Sequence, residues 1–150
     1  MLSDNKQTYS SDFATTKLFN AYQLCLVYFK MGDMSRILRF FEHNISPHSQ
    51  EFTSFRANLD RLALRQKMKC RDTQEFILHL YAILANALML DKQFKKASEV
   101  FYNICKLFNK WKTKSSTARR SPIHSHEFGV DEYIRTKASY AECLVHIGYY

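Results

Sequence analysis

The sequence predicts an all-α protein made of antiparallel helical hairpins, and three observations predict it. The 150 residues hold only 3 glycines and 2 prolines, so obligatory turns and helix breakers are scarce. Apolar residues recur at helical spacing in two bursts: Phe76, Leu80, Tyr81, Leu84 and Leu88, then Phe94, Ala97, Phe101, Ile104 and Phe108. Between the bursts, Asp91-Lys92-Gln93 leaves room for only a tight polar turn, and so short a connection makes the two helices antiparallel.

This central hairpin spans 73–111. Asp72 or Thr73 is placed to cap its first helix, and Gln74-Glu75 brings a carboxylate to the positive end of the helix. Ala85 and Ala97 stand twelve apart, where closely crossing helices tolerate little more than a methyl group, and Phe101 follows one turn later to fill the gap.

The remaining elements are taken in chain order. Residues 1–12 are polar and expected to be a flexible N-terminus. A first hairpin over 13–45 begins at a Ser11 or Asp12 cap, turns at Gly32-Asp33 and stops at Ser46-Pro47, because a residue before proline avoids the α region. Its inward residues are expected to include Leu18, Tyr22, Leu26 and Phe29, then Ile37, Leu38 and Phe41. A connecting helix over 49–70 sets Phe52, Phe55, Leu59 and Leu62 against a polar face of Arg56, Asp60, Arg61, Arg65, Lys67 and Lys69. Residues 112–129 lack periodicity, are rich in Ser, Thr and basic residues, and read as a basic mobile loop. A last helix, 130–147, carries Tyr133, Ile134, Ala138, Ala141, Leu144 and Val145 on a broad apolar face.

Tyr81, Leu84, Ala85, Leu88, Phe94, Ala97 and Phe101 stand at the large and small positions of the tetratricopeptide repeat (TPR), which the central hairpin resembles. A half copy closes the chain with Tyr140-Ala141, Leu144 and Gly148. A weaker copy opens it with Leu24-Cys25, Tyr28, Gly32, Ile37 and Phe41, Cys25 and Ile37 again twelve apart. The second helix of the closing copy is missing, which implies continuation into a longer protein. A central repeat, a basic insertion and then Lys137 to Cys143, of the form K-x-x-A-E-C, make the chain similar to the amino-terminal domain of the subunit 7 family of the anaphase-promoting complex. That resemblance implies a TPR-like α-solenoid fragment acting in ubiquitin conjugation, mitosis and the cell cycle. It implies a scaffold subunit without catalysis, forming a homodimer through its leading helices and stacking on other TPR subunits.

The residues themselves point toward interaction. The first hairpin is unusually hydrophobic and is expected to be covered, with Tyr22, Tyr28, Phe29, Phe40 and Phe41 as the candidate dimer interface or, alternatively, as the domain's own core. The net charge is +8, and no acidic residue occurs between Glu99 and Glu127, where Lys106, Lys110, Lys112, Lys114, Arg119 and Arg120 lie. With Phe108 and Trp111 among them, those cations suggest nucleic-acid binding as the alternative function. A carboxylate-clamping adaptor TPR would need a lysine, asparagines and further cations at positions held by Ala82, Asn86 and Ser139, and only Asn86 agrees.

Catalytic motifs are not found: 3 glycines leave little material for a phosphate-cradling loop or a nucleophile elbow. No cofactor or metal is expected, since His79 has no ligand-spaced partner and His124 and His126 sit in the basic loop. Cys25, Cys70, Cys105 and Cys143 are widely spaced and read as reduced thiols of a nuclear or cytoplasmic protein. Residues 1–11 carry no secretory pattern, and no unbroken apolar run approaches the roughly 20 residues of a membrane span. Ser121-Pro122, following Arg119-Arg120, is a candidate regulatory phosphosite.

Overall fold

A computed structural model describes the backbone of residues 2–42, 55–65, 71–114 and 128–148, and the side chains of 16–42, 55–64, 73–111 and 128–148. The described residues are all-α. The six helices are α1 (Leu2–Lys30), α2 (Met34–Glu42), α3 (Phe55–Arg65), α4 (Arg71–Leu90), α5 (Phe94–Lys114) and α6 (Val130–His146).

The most apolar stretch of the chain becomes its central helix. Ile77, Leu80, Leu84, Ala85 and Ala87 of α4 are wholly buried, a broad face of the helix, while His79, Ala82 and Asn86 on the remaining side are half-buried. So broad an apolar face is stable in water only when several neighbours cover it. α4 is flanked by α1, α2, α3 and α5, while α6 lies against α5. Thr73–Leu90 is long and apolar enough to cross a membrane by length and composition, but 61% of it is buried inside the fold. Ala85 and Ala97 are both fully enclosed on the paired helices α4 and α5, with Phe101 buried beside them, as the spacing requires of a close crossing.

Three helices end in the same way. The Asp33 N–H donates to the Tyr28 carbonyl at 2.9 Å and the Gly32 N–H to Phe29 at 3.0 Å. After α4, the Gln93 N–H donates to Leu88 at 2.9 Å and the Lys92 N–H to Met89 at 3.0 Å. Both pairs are the Schellman bonding of a helix closed by one left-handed residue. Gly32 has φ 75° and Lys92 has φ 62°. After α6, Gly148 (φ 91°) donates to Val145 at 3.1 Å. The backbone therefore repeats, with Cys25, Ala85 and Ala141 each seven residues before the left-handed position.

The first hairpin covers α4 with Leu18, Ala21 and Cys25, and with Phe19 and Tyr22, whose rings lie 5.4 and 6.2 Å from Phe76. α1 extends upstream to Leu2 instead of starting at Phe13. α3 is held by a polar latch as well as by Leu59: the buried Tyr81 hydroxyl donates to the Asp60 carboxylate, and Arg56 reaches Glu42 at 3.4 Å. Asp60 was expected among solvated side chains, but it faces inward because the hydroxyl of another helix satisfies it.

α6 also differs from expectation. Its inward stripe is Tyr133, Thr136, Tyr140 and Cys143, while Ile134, Ala138, Ala141 and Val145 face outward. Thr136 tolerates burial because its hydroxyl donates to the Glu132 carbonyl at 2.7 Å.

Lys92 holds a conformation that L-residues with a Cβ adopt at a cost of roughly 1–2 kcal/mol, so Lys92→Gly is expected to stabilise the protein by about 1 kcal/mol. A Cβ on Gly32 meets nothing within 4 Å, so Gly32→Ala is expected to destabilise by a similar amount through backbone strain alone. Thermal unfolding of both variants checks this, an expected change of about 2–4 °C each, opposite in sign.

Burial pushes the Cys25 thiol up from 9.0 to about 12. A raised folded-state pKa gives stability that is complete below about pH 9 and is lost as pH climbs toward about 12. Urea midpoints measured from neutral to alkaline pH should fall above about pH 9, and Cys25→Ala should flatten that fall.

Candidate functional site

Between α4 and α6, over Phe101 of α5, lies a cavity of about 450 Å³. His79, Ala82 and Asn86 form its α4 wall, the spacing that puts three residues on one helical face. The His79 ring sits 5.3 Å from Tyr22 and 5.4 Å from Phe128, a structural placement between rings. Asn86 Nδ2 donates to the Ala82 carbonyl at 2.8 Å, which orients the amide and leaves its oxygen as an acceptor. Across the cavity α6 brings Arg135 and Ser139. The start of α6 is held by Glu132, whose carboxylate accepts the Gly129 N–H at 2.9 Å. Ala82, Asn86 and Ser139 thus come together in one groove, with Arg135 supplying its cation. The lining offers hydrogen-bonding groups and both signs of charge, with Glu132 beside Arg135.

The repeat-signature residues divide by position. Tyr81, Leu84, Ala85, Leu88, Ala97 and Phe101 are buried. Phe94 is half-buried and stacks on His146 at 4.1 Å, Tyr140 lies 6.3 Å from Tyr102, Ala141 is exposed, and Gly148 closes α6.

The candidate dimer rings turn inward. Tyr22, Tyr28, Phe29 and Phe40 are half-buried against the core. Phe41 is fully buried, 5.7 Å from Phe40 and 5.3 Å from Phe55. It belongs to this chain's own core and cannot present a ring to a partner, a correction that follows from α3 closing over α2.

What the first hairpin leaves open is aliphatic. Leu24 is 41% exposed, Val27 52% and Met31 65%. Their spacing puts them on one stripe of α1, a signal visible in the sequence but overshadowed by the rings. Leu84 and Ala87 occupy the places in α4 that Leu24 and Val27 occupy in α1, and both are enclosed there.

The aromatic half of the basic segment is also internal. Phe108 stacks on Tyr133 at 4.5 Å and Trp111 is buried, its indole N–H without an acceptor among the described residues. Neither ring is free to stack on a base, which removes half of the nucleic-acid argument. Ser121, His124, His126, Cys70 and the cations from Lys112 to Arg120 lie outside the described side chains.

No family model matches the chain, and no curated protein or solved structure matches it significantly. The residues and their geometry carry the functional reading.

Phe41→Ala is expected to cost about 3–5 kcal/mol, the loss of a fully enclosed ring, whereas Leu24→Ala should stay within about 0.5 kcal/mol. Urea denaturation of the two variants measures the contrast.

Proposed function

We propose that this chain is a non-catalytic protein-interaction scaffold, a TPR-like stack of helical hairpins that self-associates through the outer stripe of α1. The observation that carries the reading is the contrast between equivalent positions: Leu24 and Val27 lie open where Leu84 and Ala87 are enclosed. A hairpin with one uncovered apolar side is stabilised by stacking on another. Asn20 and Gln23 border the stripe and Lys17 and Lys30 stand toward its two ends, which leaves the aliphatic residues as its centre. The resulting contact is isologous, α1 against α1. Together with the repeat spacing and the K-x-x-A-E-C stretch, this supports a scaffold role of the kind filled by subunit 7 of the anaphase-promoting complex in the cell cycle, with other repeat subunits as further partners.

Solution mass across dilution tests the proposal. The protein is expected to run as a dimer that dissociates on dilution, and Leu24→Glu with Val27→Glu should give a monomer of unchanged helicity. A monomer at every concentration, or a dimer indifferent to the double substitution, would refute it.

A further inference from the structure

The outward side of α5 is basic and presents no aliphatic residue. Among its described side chains the exposed positions are 95 and 96, 99, 102 and 103, 106, then 109 and 110, the spacing of one unbroken stripe on a helix of 3.6 residues per turn. Lys95, Lys96, Lys106 and Lys110 stand on that stripe against Glu99 alone. Its other members are Tyr102, 55% exposed, and the amides of Asn103 and Asn109. Lys95, Lys96, Glu99 and Lys106 form no ion pair among the described residues, so Glu99 ties up none of these cations.

α6 adds a fifth lysine at the edge of the stripe. The two helices meet with Tyr102 beside Tyr140 and Phe108 on Tyr133, and Asn109 Nδ2 donates to the Tyr133 hydroxyl at 3.1 Å. Lys137 lies 5.0 Å over the Tyr133 ring. Burial pushes the Cys105 thiol up and the charge of Lys137 draws it back, so that ammonium stands near Cys105, the neighbour of Lys106 in sequence. The carboxylates of α6 are on other sides: Asp131, Glu132 and Glu142 fall about 120–140° round the helix from Lys137. Glu132 lines the cavity, and Glu142 lies 4.0 Å from His146. Asp91, in the turn before α5, accepts from Gln93 Nε2 at 2.6 Å, at the opposite end of the helix from Lys106 and Lys110.

The make-up of the stripe selects the occupant. A partner helix or a membrane surface is held by apolar anchors as well as charge, and α5 exposes none. Lysines repeated along a helix neutralise successive phosphates, and an exposed ring takes an unpaired base on its face. Phe108 and Trp111, the rings that the sequence groups with these cations, are internal, whereas Tyr102 is open among them.

We propose that the outward face of α5 binds single-stranded nucleic acid, with phosphates on Lys106, Lys110 and Lys137 and a base against Tyr102. This goes beyond the self-association reading and uses a different face, so the two can fail separately.

The test uses the full chain and a short fluorescein-labelled single-stranded oligothymidylate. Fluorescence anisotropy should show binding at low salt, with a slope of log affinity on log salt of about −2 for three phosphates on a single strand. Lys106→Glu with Lys110→Glu, and separately Tyr102→Ala, should each weaken binding at least tenfold at unchanged helicity. Tyr102→Phe, which keeps the ring, should stay within about threefold of the parent. So should Arg39→Glu with Arg61→Glu, the same change of charge made on α2 and α3. No binding, binding indifferent to either α5 variant, or an equal loss in the α2–α3 control overturns the proposal. A polyglutamate peptide or a phosphatidylserine vesicle bound as tightly as the oligonucleotide assigns the face to another kind of partner and also overturns it.

Discussion

The pairing of α4 with α5, which encloses Ala85 and Ala97 completely, is the constraint on which the other helices depend. A methyl at each of these enclosed positions leaves room for two backbones to approach, and Phe101 is buried as well. α5 covers one side of α4, α1, α2 and α3 pack on others, and the His79, Ala82 and Asn86 side faces the cavity. Full burial of each leucine or isoleucine of α4 contributes roughly 1.5–3 kcal/mol, which is why a helix with so broad an apolar face recruits several neighbours instead of standing alone. α3 is drawn in by Leu59 and by the Tyr81 hydroxyl on Asp60. α6 packs on α5 and faces α4 across the cavity.

The all-α class and the central hairpin were legible because α4 and α5 write their apolar spacing openly, and the polar turn between them is too short for anything but an antiparallel return. Gly32 and Gly148 announced their left-handed turns, but Lys92 did not, since lysine carries no signal for positive φ and only the bonds to Leu88 and Met89 reveal it. The inward face of α6 was misread for a related reason. Periodicity ranks the purely aliphatic stripe first, whereas the buried stripe contains Thr136, which becomes an acceptable core residue through a bond to its own helix. Asp60 was misplaced because its partner, Tyr81, belongs to another helix, whereas Phe41 takes the inward place expected of it and not the interface one, closed over by Phe55 of α3. Adjacency in sequence says nothing of such contacts. The groove of His79, Asn86 and Ser139 assembles from separate helices and was visible only as the clamp positions that a repeat register would align.

Trp111 is the single tryptophan in the chain, sealed near the C-terminal end of α5. An indole so enclosed emits at shorter wavelength than one in water, so the native protein carries its own optical gauge of how α5 closes onto the core. Because its N–H has no acceptor among the described residues, that gauge is poised to respond when any carbonyl or carboxylate comes within reach, and it does so without a label being attached.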